Sequence, residues 1–525
     1  MTDSRGRIRT LEAGAAAKRT LDGRHVEDRA GTLLRDAHSA AIVRRTLGSA
    51  ALLAATLLTS CATNPVTGKN ELALVSESQE IEMGRQGAAD VAQTIGLYQD
   101  AAVQAYVSRL GLSVAARTER PNLPWAYQVV DDPAVNAFAL PGGFIFVTRG
   151  LLTHITNEAE LMSVLGHESG HVSARHSVQQ ISRSQLAQLG LGIGSILSSG
   201  IRKYSDVAAT GLGLLFLKFG RDDETQADQL GFRYALADGY DVREMVSVFQ
   251  MLDEQGKMSG GGRLPEWQST HPDPGNRIKA TEERLATVQV NLSSMKVGRD
   301  EFLKAIDGMV YGENPRQGFF RGSLFLHPDL KFQFQFPNGW QTQNASDAVI
   351  AMSPAQDAII ELRLAQGTAA QAAQSFFGQQ GIVAGRSSRS SIHGFPALTG
   401  EFGAQTSQGT AIQGIASFIE FGGATYQITA YSTGAKFTAY NSVFQTSVTS
   451  FDRLTDPAAL AMQPMRLSLT RTPRAMTLDQ FNSQYPSGVS LDELALINGI
   501  GRTDPLRSGQ TLKRVMGSPT TQASK

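Results

Sequence analysis

Hydrophobic side chains recur at helical and strand-like spacings along the first half of the chain. Between about residues 75 and 118, apolar positions follow a helical period among Glu, Gln and Ala, which predicts amphipathic helices. Trp125 to Val130 alternates apolar and polar residues like a strand. Asn136 to Thr148 reads as two short strands joined at Gly142 and Gly143, because glycine permits the positive φ of a tight turn.

Three further helices are predicted after this small sheet. The first follows Asn157, which with Glu160 forms a plausible capping pair in front of an apolar face. The others extend from near Asp223 to Ala237 and from Ile278 to Val288. The apolar, glycine-studded stretch 185–220 predicts a packed helical hairpin, because each apolar piece is too short to span a membrane. The alternative is a segment that lies on the bilayer surface.

The pattern changes in the second half of the chain. From about residue 318 to 452 it is strand-like and poor in Lys and Glu, with helical stretches between the strands. The predicted class is α+β throughout, without internal repeats. The predicted divisions are a leader (1–61), a tether (62–74), a mainly helical domain with a small sheet (75–300), an α+β sandwich domain (301–457) and a small terminal unit (465–516).

Composition excludes some functions. Hydrophobic residues are 41% and charged residues 18% of the 525, as in ordinary globular domains. Lys+Arg and Asp+Glu both total 48, so the chain lacks the basic excess of a nucleic-acid-binding protein. Nucleic acid is therefore not an expected partner.

The single cysteine, Cys61, follows a segment that is typical of an export signal. Arg44 and Arg45 precede an uncharged stretch from Thr46 to Ser60, which has signal-peptide length and ends in small residues. The segment resembles a bacterial lipoprotein signal, in which the cysteine is lipidated. The alternative is a secretory or buried segment with an incidental cysteine. Ala62 in place of Asp favours the outer membrane within that resemblance.

The strongest chemical pattern is His167-Glu168-Ser169-Gly170-His171. Histidines at positions i and i+4 of a helix share one face, so both imidazoles can reach one metal ion. Glu168 lies beside the first of them and is angled towards water at the metal, so it can act as a general base. The pattern predicts one Zn²⁺ per chain. By the same spacing argument, His176 falls off the metal-facing stripe, and it and His154 are interpreted as surface or capping residues.

A second helix supplies a carboxylate pair. Glu224 and Asp228 lie four residues apart on one face, flanked by the small or apolar residues Ala227, Leu230 and Gly231. A zinc site of this kind needs a third protein ligand, which Glu224 can supply. Asp228 can accept the free N–H of a ligand histidine. Such a pair on its own is more often a solvated face.

These motifs resemble the zinc metallopeptidase family of the CAAX prenyl proteases, HtpX and the BepA-like periplasmic proteases. The resemblance spans about residues 64–290 and rests on motifs that occur in the family's order. They are Asn64-Pro-Val-Thr-Gly68, Asn136-Ala-Phe-Ala-Leu-Pro-Gly-Gly143, His167-Glu168-x-x-His171, Glu224-x-x-x-Asp228, and Thr270-His271-Pro272 with Arg277. The tetratricopeptide repeats of BepA-like proteins are not visible in this sequence.

The resemblance implies a gluzincin-type fold and specific roles. It implies His167, His171 and Glu224 as zinc ligands, Glu168 as the base and Asp228 as an outer partner. It also brings the loop of His271 to the cleft, where this residue could stabilise an oxyanion, occupy zinc's fourth position as a latch, or merely cap a helix. Arg277 would orient it. The segment Gly142, Gly143, Phe144 and Ile145 is expected at the edge strand where substrate would add.

The terminal unit, residues 465–516, looks like a LysM module, a strand–helix–helix–strand binder of N-acetylglucosamine polymers. Arg474 to Thr477 replaces the usual Gly-Asp-Thr opening, which puts half of the sugar site in doubt. Peptidoglycan is therefore a candidate partner. The sandwich domain resembles the Mog1/PsbP-like fold.

Together these patterns predict a lipid-anchored, periplasmic zinc endopeptidase of the outer membrane. Its substrates would be misfolded or stalled envelope proteins. The alternatives are an assembly factor that only binds extended chains in the cleft, and a wall-binding scaffold whose protease domain has lost activity. An intact Glu168 argues against lost activity.

Overall fold

The computed structural model describes residues 61–188, 219–258, 271, 274–345, 347–406 and 409–517. The chain divides into two compact units, Met1–Cys61 and Ala62–Lys525, and the following description concerns the second. The predicted export signal, the side chain of Cys61 and most of the hairpin predicted for residues 185–220 lie outside the described residues. No helix of the described residues is long and apolar enough to cross a membrane.

The first half of this unit is a helical layer on a small sheet. Its sheet has the order β3–β5–β4, in which β5 pairs in parallel with β3 and antiparallel with β4. The elements are β1 (Cys61–Thr63), β2 (Asn70–Leu72), α1 (Glu77–Thr94), α2 (Ala101–Ala115), β3 (Ala126–Val130), β4 (Ala137–Leu140), β5 (Phe144–Thr148), α3 (Arg149–His154), α4 (Glu158–Ser173), α5 (His176–Gln188), α6 (Arg221–Ala237), α7 (Glu244–Met258), α8 (Pro274–Leu285) and α9 (Arg299–Ile306).

Helix α4 is the centre of this half, and every one of its residues is buried. The predicted cap is confirmed: the side chain of Asn157 accepts a hydrogen bond from the backbone N–H of Glu160. Helix α8 begins at Pro274, four residues earlier than predicted, because proline fits the first turn of a helix, where its missing N–H is not needed.

Two glycines let α4 and α6 cross closely. A Cβ atom on Gly231 would lie 2.7 Å from the backbone nitrogen of His167, and one on Gly166 would lie 2.9 Å from the Cα of Gly231. Any side chain at either position would push the helices apart. This contact holds Glu224 and Asp228 of α6 opposite His167 and His171 of α4.

The middle region has two antiparallel sheets and two helices. One sheet has the order β12–β13–β14–β15–β11–β10–β9 and the other β16–β8–β7–β6. The strands are β6 (Phe319–Arg321), β7 (Leu324–His327), β8 (Phe332–Gln335), β9 (Gln341–Asn344), β10 (Ala348–Met352), β11 (Ala358–Ala365), β12 (Val383–Ile392), β13 (Phe395–Gln405), β14 (Ala411–Phe421), β15 (Ala424–Thr433) and β16 (Asp452–Arg453). The helices are α10 (Ala369–Phe377) and α11 (Phe437–Thr449), followed by the short α12 (Pro457–Leu460).

The last region has the order β17 (Arg466–Arg471), α13 (Leu478–Gln484), α14 (Leu491–Asn498) and β18 (Thr511–Met516), with β17 and β18 antiparallel. Its apolar residues belong to the same hydrophobic core as those of the helical half. Lys513 is fully buried, and its Nζ donates to the carbonyl oxygens of Thr153 (2.9 Å) and Ile155 (2.6 Å) at the end of α3. This region therefore packs directly on the domain that carries the histidine motif.

Candidate metal centre

Four buried side chains from three parts of the chain converge between α4 and α6. His167 and His171 come from α4, Glu224 from α6, and His271 precedes α8. One potential ligand atom from each lies within 4.8 Å of all the others. None of the four residues is more than 3% exposed, so their arrangement is fixed by packing.

The separations between these atoms are short and similar. His167 Nε2 lies 3.1 Å from His171 Nε2, 3.3 Å from His271 Nδ1 and 3.6 Å from Glu224 Oε2. Glu224 Oε1 lies 3.5 Å from His171 Nε2 and 2.9 Å from His271 Nδ1. Ligand atoms at about 2.0–2.1 Å from a tetrahedral Zn²⁺ lie about 3.3–3.4 Å from one another, and these five separations are close to that value.

Asp228 and Arg277 form a charged pair behind the first histidine. Asp228 Oδ1 lies 2.9 Å from His167 Nδ1. Arg277 donates to both carboxylate oxygens of Asp228, at 2.6 and 2.9 Å. Despite burial, Arg277 and the bond from His167 hold the pKa of Asp228 well below its usual range. A permanent carboxylate therefore faces the nitrogen of His167 that points away from the cluster.

Glu168 lies beside the cluster with both carboxylate oxygens buried. Neither oxygen has a hydrogen-bond partner among the described residues, and Oε1 lies 3.7 Å from His271 Nε2. Burial raises the pKa of this carboxyl, against the opposing effect of His271 and His167. Burying a carboxylate without a hydrogen-bond partner is costly, and the nearby ring of His271 offsets part of this cost.

The structure brings most of the predicted site residues together but contradicts the predicted edge strand. His271 lies in the cluster and Arg277 contacts Asp228 behind it, although no local pattern connects these two residues to α4. Glu168 lies against the cluster, next to His167 on α4. The edge-strand assignment is wrong: Phe144 and Ile145 belong to β5, the central strand, and Gly142 and Gly143 form the turn before it. The edge beside α4 is β4, because β5 also pairs with β3 on its other side.

Two histidines interpreted as surface or capping residues are buried. His176 is 2% exposed and its Nδ1 lies 2.9 Å from Nδ1 of His171. His154 is 8% exposed and lies 3.3 Å from Glu493 of the last region. The helix-stripe argument failed for His176 because a turn separates it from α4. Its proximity in sequence to His171 was the only available indication.

One part of the chain matches a known protein family. Residues 101–285 match the family model described as Peptidase family M48. They contain three members of the cluster on α4 and α6, together with His271. Residues 101–285 are therefore similar to the metallopeptidases of family M48.

Individual relatives match this part of the chain. The mitochondrial metalloendopeptidase OMA1 of Schizosaccharomyces pombe is 33% identical over 193 residues, 35% of this chain and 54% of the relative. Its namesake from Arabidopsis thaliana is 37% identical over 168 residues, 31% of this chain and 32% of the relative. The beta-barrel assembly-enhancing protease of Escherichia coli is 27% identical over 234 residues, 43% of this chain and 47% of the relative. The chain thus spans about half or less of these curated relatives.

Among solved structures, cyanobacterial PsbP from Synechocystis covers 26% of this chain and 94% of its own length, at 16% identity and a TM-score of 0.22. A score this low carries no argument about the middle region. Its Mog1/PsbP-like character therefore stays a prediction, as does the LysM-like character of residues 465–516.

Proposed function

We propose that the protein is a zinc-dependent endopeptidase that cuts extended, incompletely folded protein chains. The observation that carries this proposal is the convergence of four buried ligand atoms within 4.8 Å of one another, beside which Glu168 holds a carboxylate without a hydrogen-bond partner among the described residues. Imidazole nitrogens with a carboxylate oxygen form a donor set that suits Zn²⁺. His167, His171 and Glu224 would hold the ion, whose chemistry is to polarise the substrate carbonyl and acidify water.

Glu168 would act as the general base and then as the acid. Its carboxylate can accept a proton from the attacking water and deliver it to the amine that leaves when the peptide bond breaks. Burial favours this exchange, because it raises the pKa of the group above its ordinary value and towards neutral pH. Asp228 would keep His167 in orientation by accepting the hydrogen on Nδ1.

His271 would act as a latch. A catalytic zinc site keeps one position open for water, whereas four protein ligands close it. Nδ1 of His271 is within 3.3 Å of His167 and 2.9 Å of Glu224, as a fourth ligand would be. The ring would have to leave before the site could work. The latch is favoured over the oxyanion role, because Nδ1 of His271 lies as close to His167 and Glu224 as a ligand atom would.

The preferred substrate would be an extended chain added to the edge of β4. Strand addition satisfies the backbone of both partners and needs no particular side-chain sequence. Because β4 packs against α4, a strand added there would run past Glu168. A folded protein offers few such segments, so misfolded or stalled envelope proteins are the proposed substrates. The name of one relative, the beta-barrel assembly-enhancing protease of Escherichia coli, agrees with this choice.

Digestion of unfolded casein by the full chain tests the proposal. We expect cleavage that stops with a chelator and returns with added zinc. Binding of the unfolded chain without cleavage, under conditions where zinc is bound, would favour the assembly factor or the wall-binding scaffold instead.

We also propose lipid attachment at Cys61 and a periplasmic position at the outer membrane, on the sequence of residues 44–61 alone. Mass measurement of the N-terminal peptide of the native protein tests this, and a free thiol at Cys61 would end it. Peptidoglycan binding by residues 465–516 is tested by co-sedimentation with insoluble peptidoglycan, where recovery in the supernatant counts against it.

A further inference from the structure

His176 is a buried histidine for which the proposed reaction has no use. It begins helix α5, and the residue before it, Arg175, has a φ of 58°, in the left-handed region. Arg175 is held there by Glu80, whose Oε2 accepts from its Nε at 2.9 Å. This turn reverses the chain after α4 and brings His176 back against His171.

The hydrogen bonds of His176 connect His171 to helix α6. Nδ1 of His176 lies 2.9 Å from Nδ1 of His171. On its other side, Nε2 of His176 lies 2.8 Å from Oε1 of Gln226 and 3.8 Å from Oδ1 of Asp223. Gln226 is two residues from Glu224 on helix α6. His176 therefore connects His171 to the helix that carries Glu224.

The direction of these bonds follows from the position of His171. Its Nε2 faces the cluster and must offer a lone pair to a metal, so its hydrogen is on Nδ1. Nδ1 of His176 must then accept, which leaves the hydrogen of a neutral ring on Nε2. That hydrogen points to Gln226, whose amide oxygen can only accept. One set of tautomers therefore satisfies every partner.

We propose that His176 is a positioning residue that fixes the tautomer and orientation of His171 for metal binding. The two ligand histidines would then be held differently, His167 by the carboxylate of Asp228 and His171 by a neutral ring backed by Gln226. Partners of this kind change metal affinity by about 10–100-fold when removed. The inference rests on the proposed zinc site, but it concerns affinity for the ion and not cleavage.

Zinc affinity of the full chain, measured by competition with a chromophoric chelator, tests the inference. His176→Leu fills similar space without an acceptor, and we expect zinc to bind about 10–100-fold more weakly. His176→Asn puts an amide oxygen near the position of Nδ1, and we expect it to recover most of the affinity. Thermal unfolding of the zinc-free proteins is measured alongside. If His176 had only a structural role, both variants would be less stable than the wild type, but their zinc affinities would not differ from each other.

Equal zinc affinity in the wild type and His176→Leu would overturn the inference and leave the proposed function intact. Equal weakness of the Asn and Leu variants would overturn it too, since an acceptor would then make no difference. Should the Leu variant not fold, Gln226→Leu replaces it. That change removes the partner of Nε2 from a half-buried position, and an unchanged affinity would again contradict the inference. A wild type that binds no zinc would defeat the proposed function itself.

Discussion

The Nδ1 atom of His271 lies 3.3 Å from the Nε2 atom of His167, although 104 residues separate them in sequence. Two ligands of one tetrahedral zinc ion lie about this far apart. Two nearby carboxylates, those of Glu224 and Glu168, stabilise the ring of His271 in this buried position. Burial lowers its pKa, but Glu224 and Glu168 together raise the pKa above its ordinary value. His271 therefore lies within the ligand cluster, where the proposed latch requires it.

Replacing His271 by alanine should accelerate digestion of unfolded casein. If about nine-tenths of the molecules are closed, opening all of them raises the rate about tenfold. His393→Ala, a change of a half-exposed histidine in the middle region, is the control and should leave the rate unchanged. A slower His271→Ala variant with its zinc intact would instead indicate an oxyanion role, for which a loss of about 2.7–4 kcal/mol is typical.

Replacing Gly231 by alanine should weaken zinc binding, although Gly231 is not itself a proposed ligand. The added methyl group would lie 2.7 Å from the backbone nitrogen of His167, so α6 must shift and carry Glu224 with it. Overpacking of this kind costs about 1–3 kcal/mol in unfolding free energy, and zinc affinity should fall as well. Gly275→Ala, which meets no atom within 4 Å, is the matched control in denaturant unfolding and chelator competition. Indistinguishable results for the two variants would mean that the helix crossing is not tight.

His327 should make the middle region less stable in mild acid. Burial lowers the pKa of this ring from 6.5 to about 4, and its Nδ1 accepts from the backbone of Leu330 at 3.2 Å. The unfolded chain takes up a proton below pH 6.5 while the folded one resists until about pH 4, so stability falls as pH falls through this window. We expect a loss of about 1–3 kcal/mol, reduced by partial exposure of the ring.

Comparison with His327→Gln isolates this effect, because the glutamine does not titrate. Denaturant unfolding at several pH values should give a difference between the two proteins that is constant above pH 6.5 and shrinks or reverses towards pH 4. A difference that stays constant over the whole range would contradict the assignment.

The parts of the site that the sequence predicted are those fixed by short-range geometry. Four-residue spacing on one helix brings His167 and His171 together, and it does the same for Glu224 and Asp228. The proximity of His271 required the family resemblance, because no local rule connects it to α4. The same helix rule gave a wrong prediction for His176, because the left-handed turn at Arg175 ends the regular helix before this residue.

Long-range pairing accounts for what the sequence missed in the fold. The strand after Gly143 has the same local pattern as an edge strand or a central one, and only its partners β3 and β4 decide between them. Likewise, no local pattern predicts the burial of Lys513. Its contact with the carbonyl oxygens of Thr153 and Ile155 depends on how the last region packs on the end of α3.

The central claim is that Glu168 moves the proton in a zinc-dependent cleavage. Its most direct test is the rate of casein digestion by Glu168→Gln, with bound zinc measured in the same samples. Glu82→Gln, which removes an exposed carboxylate from α1, is the matched control and should digest at the wild-type rate. We predict that Glu168→Gln retains about one zinc per chain and loses at least about 100-fold in rate. Digestion at the wild-type rate by this variant would contradict the account.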